Sequence, residues 1–255
     1  MTAFSANLGF LWSELNLPDA IRAAHQAGFA AVECHWPYDT PAQAVANALT
    51  ETGLPMLGLN TRRGRPGENG LSALSGREND ARAAIDEAIA YAEIVDAQAI
   101  HVMAGIANGD EAHATFLSNL RYAIEKTDRT ILIEPLNPND APGYFLQTTD
   151  QASEIIREVG ASSLKLMFDC YHAGRSEGDV TQRFAKLQAL VGHIQIAAVP
   201  DRGPPDHGEL DYMFVLSEFA RMGWQRPIGA EYRPVAQTET SLSWMATLGQ
   251  INSKD

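Results

Sequence analysis

Eight short apolar runs, most of them followed by an amphipathic stretch, constrain this chain more than any other feature. They fall at 5–11, 30–35, 55–60, 99–104, 130–136, 164–170, 193–199 and 227–232. Runs of this length without polar alternation read as strands buried on both faces, the habit of parallel sheets. Between them, LPDAIRAAHQAGF sets Ile21, Ala24 and His25 at helical spacing. NDARAAIDEAIAYAEIVDA places Ile85, Ile89, Ala92 and Val95 on one face with acids opposite. TDQASEIIREVGASS opens on a capping Thr149 or Asp150 and stops at Gly160, and the segment 211–223 repeats the form up to Gly223. Strand and helix alternate with no linker and no low-complexity tract, which implies parallel strands joined by crossover helices. Eight such units in 255 residues fit one (β/α)8 TIM barrel domain over 1–255. The rival is a doubly wound open sheet. If it bound a dinucleotide it would carry a Gly-rich turn after its first strand, and GFLWSEL is no such turn. The charged, Gly-rich segment 62–80, which includes Arg62, Arg63 and Arg65, reads as a loop at the ligand end of strand 3.

Four of the runs end in a way that core strands do not. TILIEPLNP closes on Glu134, LKLMFDCYH on Asp169, HIQIAAVP carries Gln195, and PIGAEYRP carries Glu231. A buried carboxylate without a partner is costly, so it has a partner or a task. One such acid is readily a helix cap or an ion-pair member. Four on successive strands are hard to reach by capping alone. In a barrel the carboxyl ends of the strands converge on one face, where active sites are built. Three carboxylates there would repel without a cation, and with an amide oxygen they form a hard donor set that suits Mg²⁺ or Mn²⁺ better than Zn²⁺.

LIEPLN, LMFDCYHAG, HIQIAAVPDRGPPDHGELDY and GAEYRP together resemble the hydroxypyruvate isomerase family, within the larger xylose-isomerase-like barrels. VECHWPYD and GENGLSALSGRE extend the resemblance over nearly the whole chain. It implies that Glu134 and Glu231 are the acid/base pair and also bind the metal, with Asp169 and Gln195 as further ligands. It implies a small 2-oxo acid as substrate, hydroxypyruvate to tartronate semialdehyde or the same shift on 2-oxo-tetronate. Related sugar epimerases carry His where this chain has Gln195, which makes a ketose epimerase the weaker expectation.

Around that set, Arg202 and Arg233 are candidates to meet a substrate carboxylate, with a surface ion pair an equal alternative for Arg202 and the plainer reading for Arg233. His172 is expected as a hydrogen-bond donor to substrate, and His207 and Glu209 as contacts to substrate or behind the ligands. Asn60 either donates to substrate or caps a turn. His101 and His35 either line the pocket or pack in the core, while His25, His113 and His193 read as ordinary helix or strand residues. Trp12, Trp36 and Tyr38 are placed to wall the pocket.

The remaining totals exclude rather than assign. A net charge of −13 opposes nucleic acid as a partner and argues against a His-rich three-zinc nuclease of the endonuclease IV type. No apolar run approaches the roughly 18 residues of a membrane span. The N-terminus lacks a basic signal-peptide region, and Cys34 and Cys170 fall inside apparent strands. A reduced, cytoplasmic enzyme is expected. Self-association through the outer helices stays open, as do a neutral-sugar isomerase or epimerase and a non-catalytic sugar-binding barrel. The polar tail GQINSKD is expected to fray.

Overall fold

The computed structural model describes residues 1–251. Its eight strands are β1 (Phe4–Asn7), β2 (Ala31–Cys34), β3 (Met56–Asn60), β4 (Ala99–His101), β5 (Thr130–Ile133), β6 (Leu164–Asp169), β7 (Val191–Ile196) and β8 (Ile228–Ala230). Each pairs in parallel with the next, and β8 returns to β1, so the barrel is closed in sequence order. The helices α1 (Leu17–Gln26), α2 (Ala42–Thr52), α3 (Glu78–Val95), α4 (Gly109–Lys126), α5 (Thr149–Val159), α6 (Cys170–Ser176), α7 (Val180–Leu187), α8 (Tyr212–Arg221) and α9 (Trp244–Leu248) ring it. The eight sequence runs are therefore the eight strands. They are shorter than the apolar pattern suggests, because buried apolar residues such as Leu8, Leu11 and Met103 continue past the last ladder bond. Among the described residues no helix is long and apolar enough to cross a membrane.

Helix apolar stripes pack on the outward strand residues, with Ile21, Ile85, Ile89, Phe116, Ile155 and Phe219 buried in one continuous cluster. Inward residues form a separate interior. At one level it is apolar, with Ala99, Leu132 and Met167 in mutual contact. Two residues further along the same strands, period-two alternation brings His101, Glu134 and Asp169 to the inner wall. Register places Asp169 opposite Gln195, Asn7 opposite Glu33, and Gln195 opposite Gly229. The barrel thus turns from apolar to polar as it approaches the carboxyl ends of its strands.

Gly229 makes that polar layer possible. A Cβ there would lie 2.5 Å from Glu33 Oε1 and 2.9 Å from both Gln195 Cγ and His193 Nε2. Gly229→Ala is expected to cost about 1–3 kcal/mol through overpacking. Thermal unfolding should show a Tm lower by some degrees. An unchanged Tm would mean that the polar layer is not packed as described.

The segment 62–77 is a loop, as expected, but α3 begins at Glu78, inside the segment read as loop. The tail is tied down further than its composition suggests. Ile251 is buried and its carbonyl accepts from Thr2 Oγ1; residues 252–255 lie outside the described residues. Cys34 and Cys170 are buried free thiols.

Candidate active site

A cavity of about 290 Å³ opens at the carboxyl ends of the strands. It is lined by Glu134, Glu231, His172, Arg202, Asn60 and Asp140, among others. Glu134 follows the last residue of β5 directly and Glu231 the last residue of β8, while Asp169 closes β6. All three carboxylates are buried. Asp169 answers both readings made of it. Its Oδ1 accepts the Tyr171 N–H at 2.8 Å and caps α6. Its Oδ2 is buried without a hydrogen bond.

Glu134 and Glu231 are held very differently. Glu231 Oε1 accepts from Asn7 Nδ2 at 3.1 Å and His35 Nε2 at 2.8 Å, and its Oε2 accepts from Arg202 Nη2 at 2.6 Å. Burial alone would raise this carboxyl, but Arg202, followed by His35, holds it below the usual carboxylate range. Glu134 has no such donors, and its Oε1 is buried and unpaired. Burial, then the charges of Glu231 and Asp169, push Glu134 well above the usual range. Burial pushes Asp169 up to about 7 despite Arg202 nearby.

His172 stands one turn into α6, three residues after Asp169. Its Nδ1 accepts from the Asn137 backbone N–H at 2.9 Å. A backbone N–H can only donate, so Nδ1 carries a lone pair and Nε2 carries the proton of the neutral ring. Burial, with Arg202 second, pushes the ring down to about 3. Nε2 lies 3.6 Å from Asp169 Oδ2 and 3.9 Å from Glu134 Oε1. Glu134, Asp169 and His172 offer ligand atoms within 4.8 Å of one another, a spacing a metal ion could bridge. In the tautomer that the Asn137 N–H bond sets, however, Nε2 of His172 is a donor and not a ligand. Gln195 completes an oxygen set better. Its Nε2 donates to Glu33 Oε1 at 3.1 Å, which leaves its Oε1 buried and unpaired. Unpaired oxygens of Glu134, Asp169 and Gln195 suit a hard divalent cation.

Of the two readings open for Arg202, the structure shows an ion pair, though a buried one and not one at the surface: its charge is committed within the protein. Besides Glu231, its Nη2 lies 3.6 Å from Asp169 and its Nη1 3.8 Å from Asp140. The chain holds Arg202 at φ +57, a left-handed conformation that costs a non-glycine residue about 1–2 kcal/mol. Asn60 lines the cavity, and its backbone carbonyl accepts from the Tyr38 hydroxyl. His101, pushed down to about 4 by burial, sits with Nδ1 3.6 Å from Glu134 Oε2. Trp36 lines the cavity, but Trp12 does not; it is buried against Phe29 and bonds Glu239.

Two expected contacts fall elsewhere. His207 is exposed and bridges Asp201 at 2.9 Å and Asp206 at 3.0 Å, and Glu209 is exposed beside it. The loop after β7 turns in only as far as Arg202 and then folds outward, so neither lines the cavity. Conversely, His193 is more than an ordinary strand residue. It is buried inside the barrel with Nε2 against Glu33 Oε2. Glu33 is a site residue that sequence reading missed. It accepts from Asn7 and Gln195, orienting Gln195 directly and bridging through Asn7 to Glu231.

The architecture and this mouth define a parallel eight-stranded barrel with a cluster of buried carboxylates at its carboxyl face. The xylose isomerase-like TIM barrel family model matches residues 21–248. The 2-oxo-tetronate isomerase of Cupriavidus necator is 42% identical over 96% of this chain and 98% of its own length. The hydroxypyruvate isomerase of Escherichia coli is 35% identical over 96% and 98%. A crystal structure from Brucella melitensis, titled AP endonuclease, family 2, superposes with a TM-score of 0.93 at 37% identity, covering 97% of this chain and 99% of that one. The chain belongs to the hydroxypyruvate isomerase family of xylose isomerase-like TIM barrels.

Proposed function

We propose that this protein is an isomerase of small 2-oxo acids, moving a carbonyl between adjacent carbons of hydroxypyruvate or 2-oxo-tetronate. The observation that carries this is the pair Glu134 and Glu231. They line one cavity from strands three positions apart, and their surroundings push them in opposite directions, Glu134 up and Glu231 down. Pairs of carboxyls whose surroundings push them apart are the mark of an acid and a base. Glu231, ionised, has a lone pair on Oε2 left beyond its three donors and can take a proton from the substrate's hydroxyl-bearing carbon. Glu134 supplies a proton to the neighbouring carbon, the substrate's hydroxyl proton passes to the former carbonyl oxygen, and proton exchange with solvent restores both carboxyls before the next turnover. The His172 Nε2–H is placed to donate to a substrate oxygen where negative charge develops.

Asp169 and Gln195 would hold a divalent cation, Mg²⁺ or Mn²⁺, with Glu134 and Glu231 as further ligands when they are ionised and carry no substrate proton. Bound there, it supplies positive charge that stabilises the enediolate. Glu33 keeps the Gln195 amide turned so that its oxygen, not its nitrogen, faces that position. The chain is read as one barrel domain acting in the cytoplasm, with no nucleic acid or membrane partner; the formal charge of −13 supports that reading over a nuclease.

The test is an isomerisation assay on chelator-treated protein with hydroxypyruvate, 2-oxo-tetronate and a neutral ketose, with and without Mg²⁺ or Mn²⁺. Turnover of a 2-oxo acid that returns only with metal is expected. Turnover of the neutral sugar alone would replace the acid reading, and full turnover without metal would remove the cation.

A further inference from the structure

Arg202 is surrounded by carboxylates, yet the cavity wall holds two more cations. Arg63, from the long loop after β3, and Arg233, two residues past Glu231, both line it and are exposed at its mouth. Among the described residues, neither has a carboxylate at ion-pair distance. Arg63 lies over the Trp36 ring at 4.5 Å and Arg233 over Phe10 at 5.6 Å. Their neighbours behave otherwise: Arg62 is paired with Glu87 at 2.6 Å, and Arg77 with Glu68 at 3.0 Å. Other arginines, Arg65 and Arg121 among them, also lack an ion pair, but of the unpaired ones among the described residues only Arg63 and Arg233 line this cavity. A guanidinium over an aromatic face spends no N–H on that contact and keeps its donors for another partner. Those donors are the part that binds a carboxylate in a two-pronged fashion.

We infer that Arg63 and Arg233 form the carboxylate clamp of the site, reading the negative charge of a 2-oxo acid from the rim while its carbonyl and hydroxyl ends reach down to Glu134, Glu231 and His172. The clamp rests on the 2-oxo acid reading for the identity of its ligand. It divides the site by task. Arg202 keeps Glu231 ionised, and the two rim arginines select an anionic substrate over a neutral ketose. Asn69, from the loop that carries Arg63, lines the same wall, so the clamp depends on the 62–77 loop keeping its fold. That loop is pinned by the Gly70–Ala104 bridge and by Glu68, which accepts from the Arg65 backbone N–H and pairs with Arg77.

The experiment compares wild type with Arg63→Met, Arg233→Met and the double variant, all with Mg²⁺. One readout is steady-state kinetics on hydroxypyruvate and 2-oxo-tetronate. The second is the tryptophan fluorescence change on titrating hydroxypyruvate, taken as the part that a Trp36→Phe variant lacks. Each single variant should raise KM and the fluorescence Kd by about 10–100-fold, with kcat at saturation nearly unchanged. The double variant should lose saturable binding, and Arg63→Lys should recover part of the loss. Wild-type KM and Kd in both single variants and the double variant would overturn the clamp. The two readings fail separately: saturable binding that is lost in the variants, with no wild-type turnover, keeps the clamp and removes the isomerase. Absence of any wild-type binding of either acid overturns the clamp as well.

Discussion

Glu134→Gln and Glu231→Gln should each lower turnover of a 2-oxo acid by about 10²–10⁴-fold, the usual worth of a positioned general acid or base. Glutamine keeps the shape and an oxygen acceptor but neither takes nor gives a proton at the pH of the assay. The two variants should part company in stability. Glu231 is the partner of the buried Arg202 and accepts from Asn7 and His35. Its neutralisation leaves a buried cation with less than its full complement. Breaking such a pair from one side typically costs about 3–5 kcal/mol. Asp169 at 3.6 Å and Asp140 at 3.8 Å remain, which places the expected loss toward the lower end. Glu134 has no cationic hydrogen-bond partner and is disfavoured by the charges around it, so Glu134→Gln should leave the metal-free protein as stable as wild type or more so. Kinetics and thermal unfolding on the same samples check both halves. If both variants kept full turnover, the acid/base assignment would fall; if Glu231→Gln melted with wild type, the Arg202 pairing would not be what holds that side of the site.

The barrel was legible because its signal is repeated eight times and is strictly local: an apolar run, then an amphipathic helix. Glu134, Asp169 and Glu231 were legible for a related reason, since each interrupts an apolar run at the same place. Glu33 interrupts its run in the same way. It escaped notice because Cys34 follows it and prolongs the apolar reading to the end of β2. Asn7 and His193 carry no local signal. Their roles arise because register lays Asn7 beside Glu33 and because a bare Gly229 leaves room between strands distant in sequence. His207 and Glu209 show the opposite failure. Their residue types suit a site, but nothing local says that the loop after β7 turns outward beyond Arg202. Arg233 looked like a surface cation, and it is exposed, yet only the closed barrel brings it to the same rim as Arg63, 170 positions earlier in the chain.

Divalent-cation binding should release protons and weaken sharply as pH falls. In the metal-free protein burial pushes Asp169 up to about 7 and Glu134 well above its usual range, and a ligand carboxylate must be deprotonated. For Asp169 alone, apparent affinity for Mn²⁺ should fall about tenfold between pH 8 and pH 6, with Glu134 adding to this, since one proton displaced is worth about tenfold per pH unit below the pKa. The same shifts set the stability of the chelated protein. The folded state holds protons that the unfolded chain, titrating near its ordinary value of about 4, has already released. The stabilisation this gives is complete below that value and is lost as pH rises through about 7. His101, pushed down to about 4, and His172, to about 3, act in the opposite direction. Their contribution is present above their unfolded value of about 6.5 and is lost as pH falls through the folded values. Between about pH 6.5 and 8 the last unfolded-state histidine protons leave, and the stability this adds offsets the loss from Asp169, so the raised carboxyl of Glu134 decides the sign. Chelated protein should melt lower at pH 8 than at pH 6.5, and the rise in Tm on adding Mn²⁺ should be larger at pH 8. Titration calorimetry in two buffers of different ionisation enthalpy counts the released protons directly. Affinity that does not change with pH, with no proton released, would mean that the cation does not sit on Glu134 and Asp169.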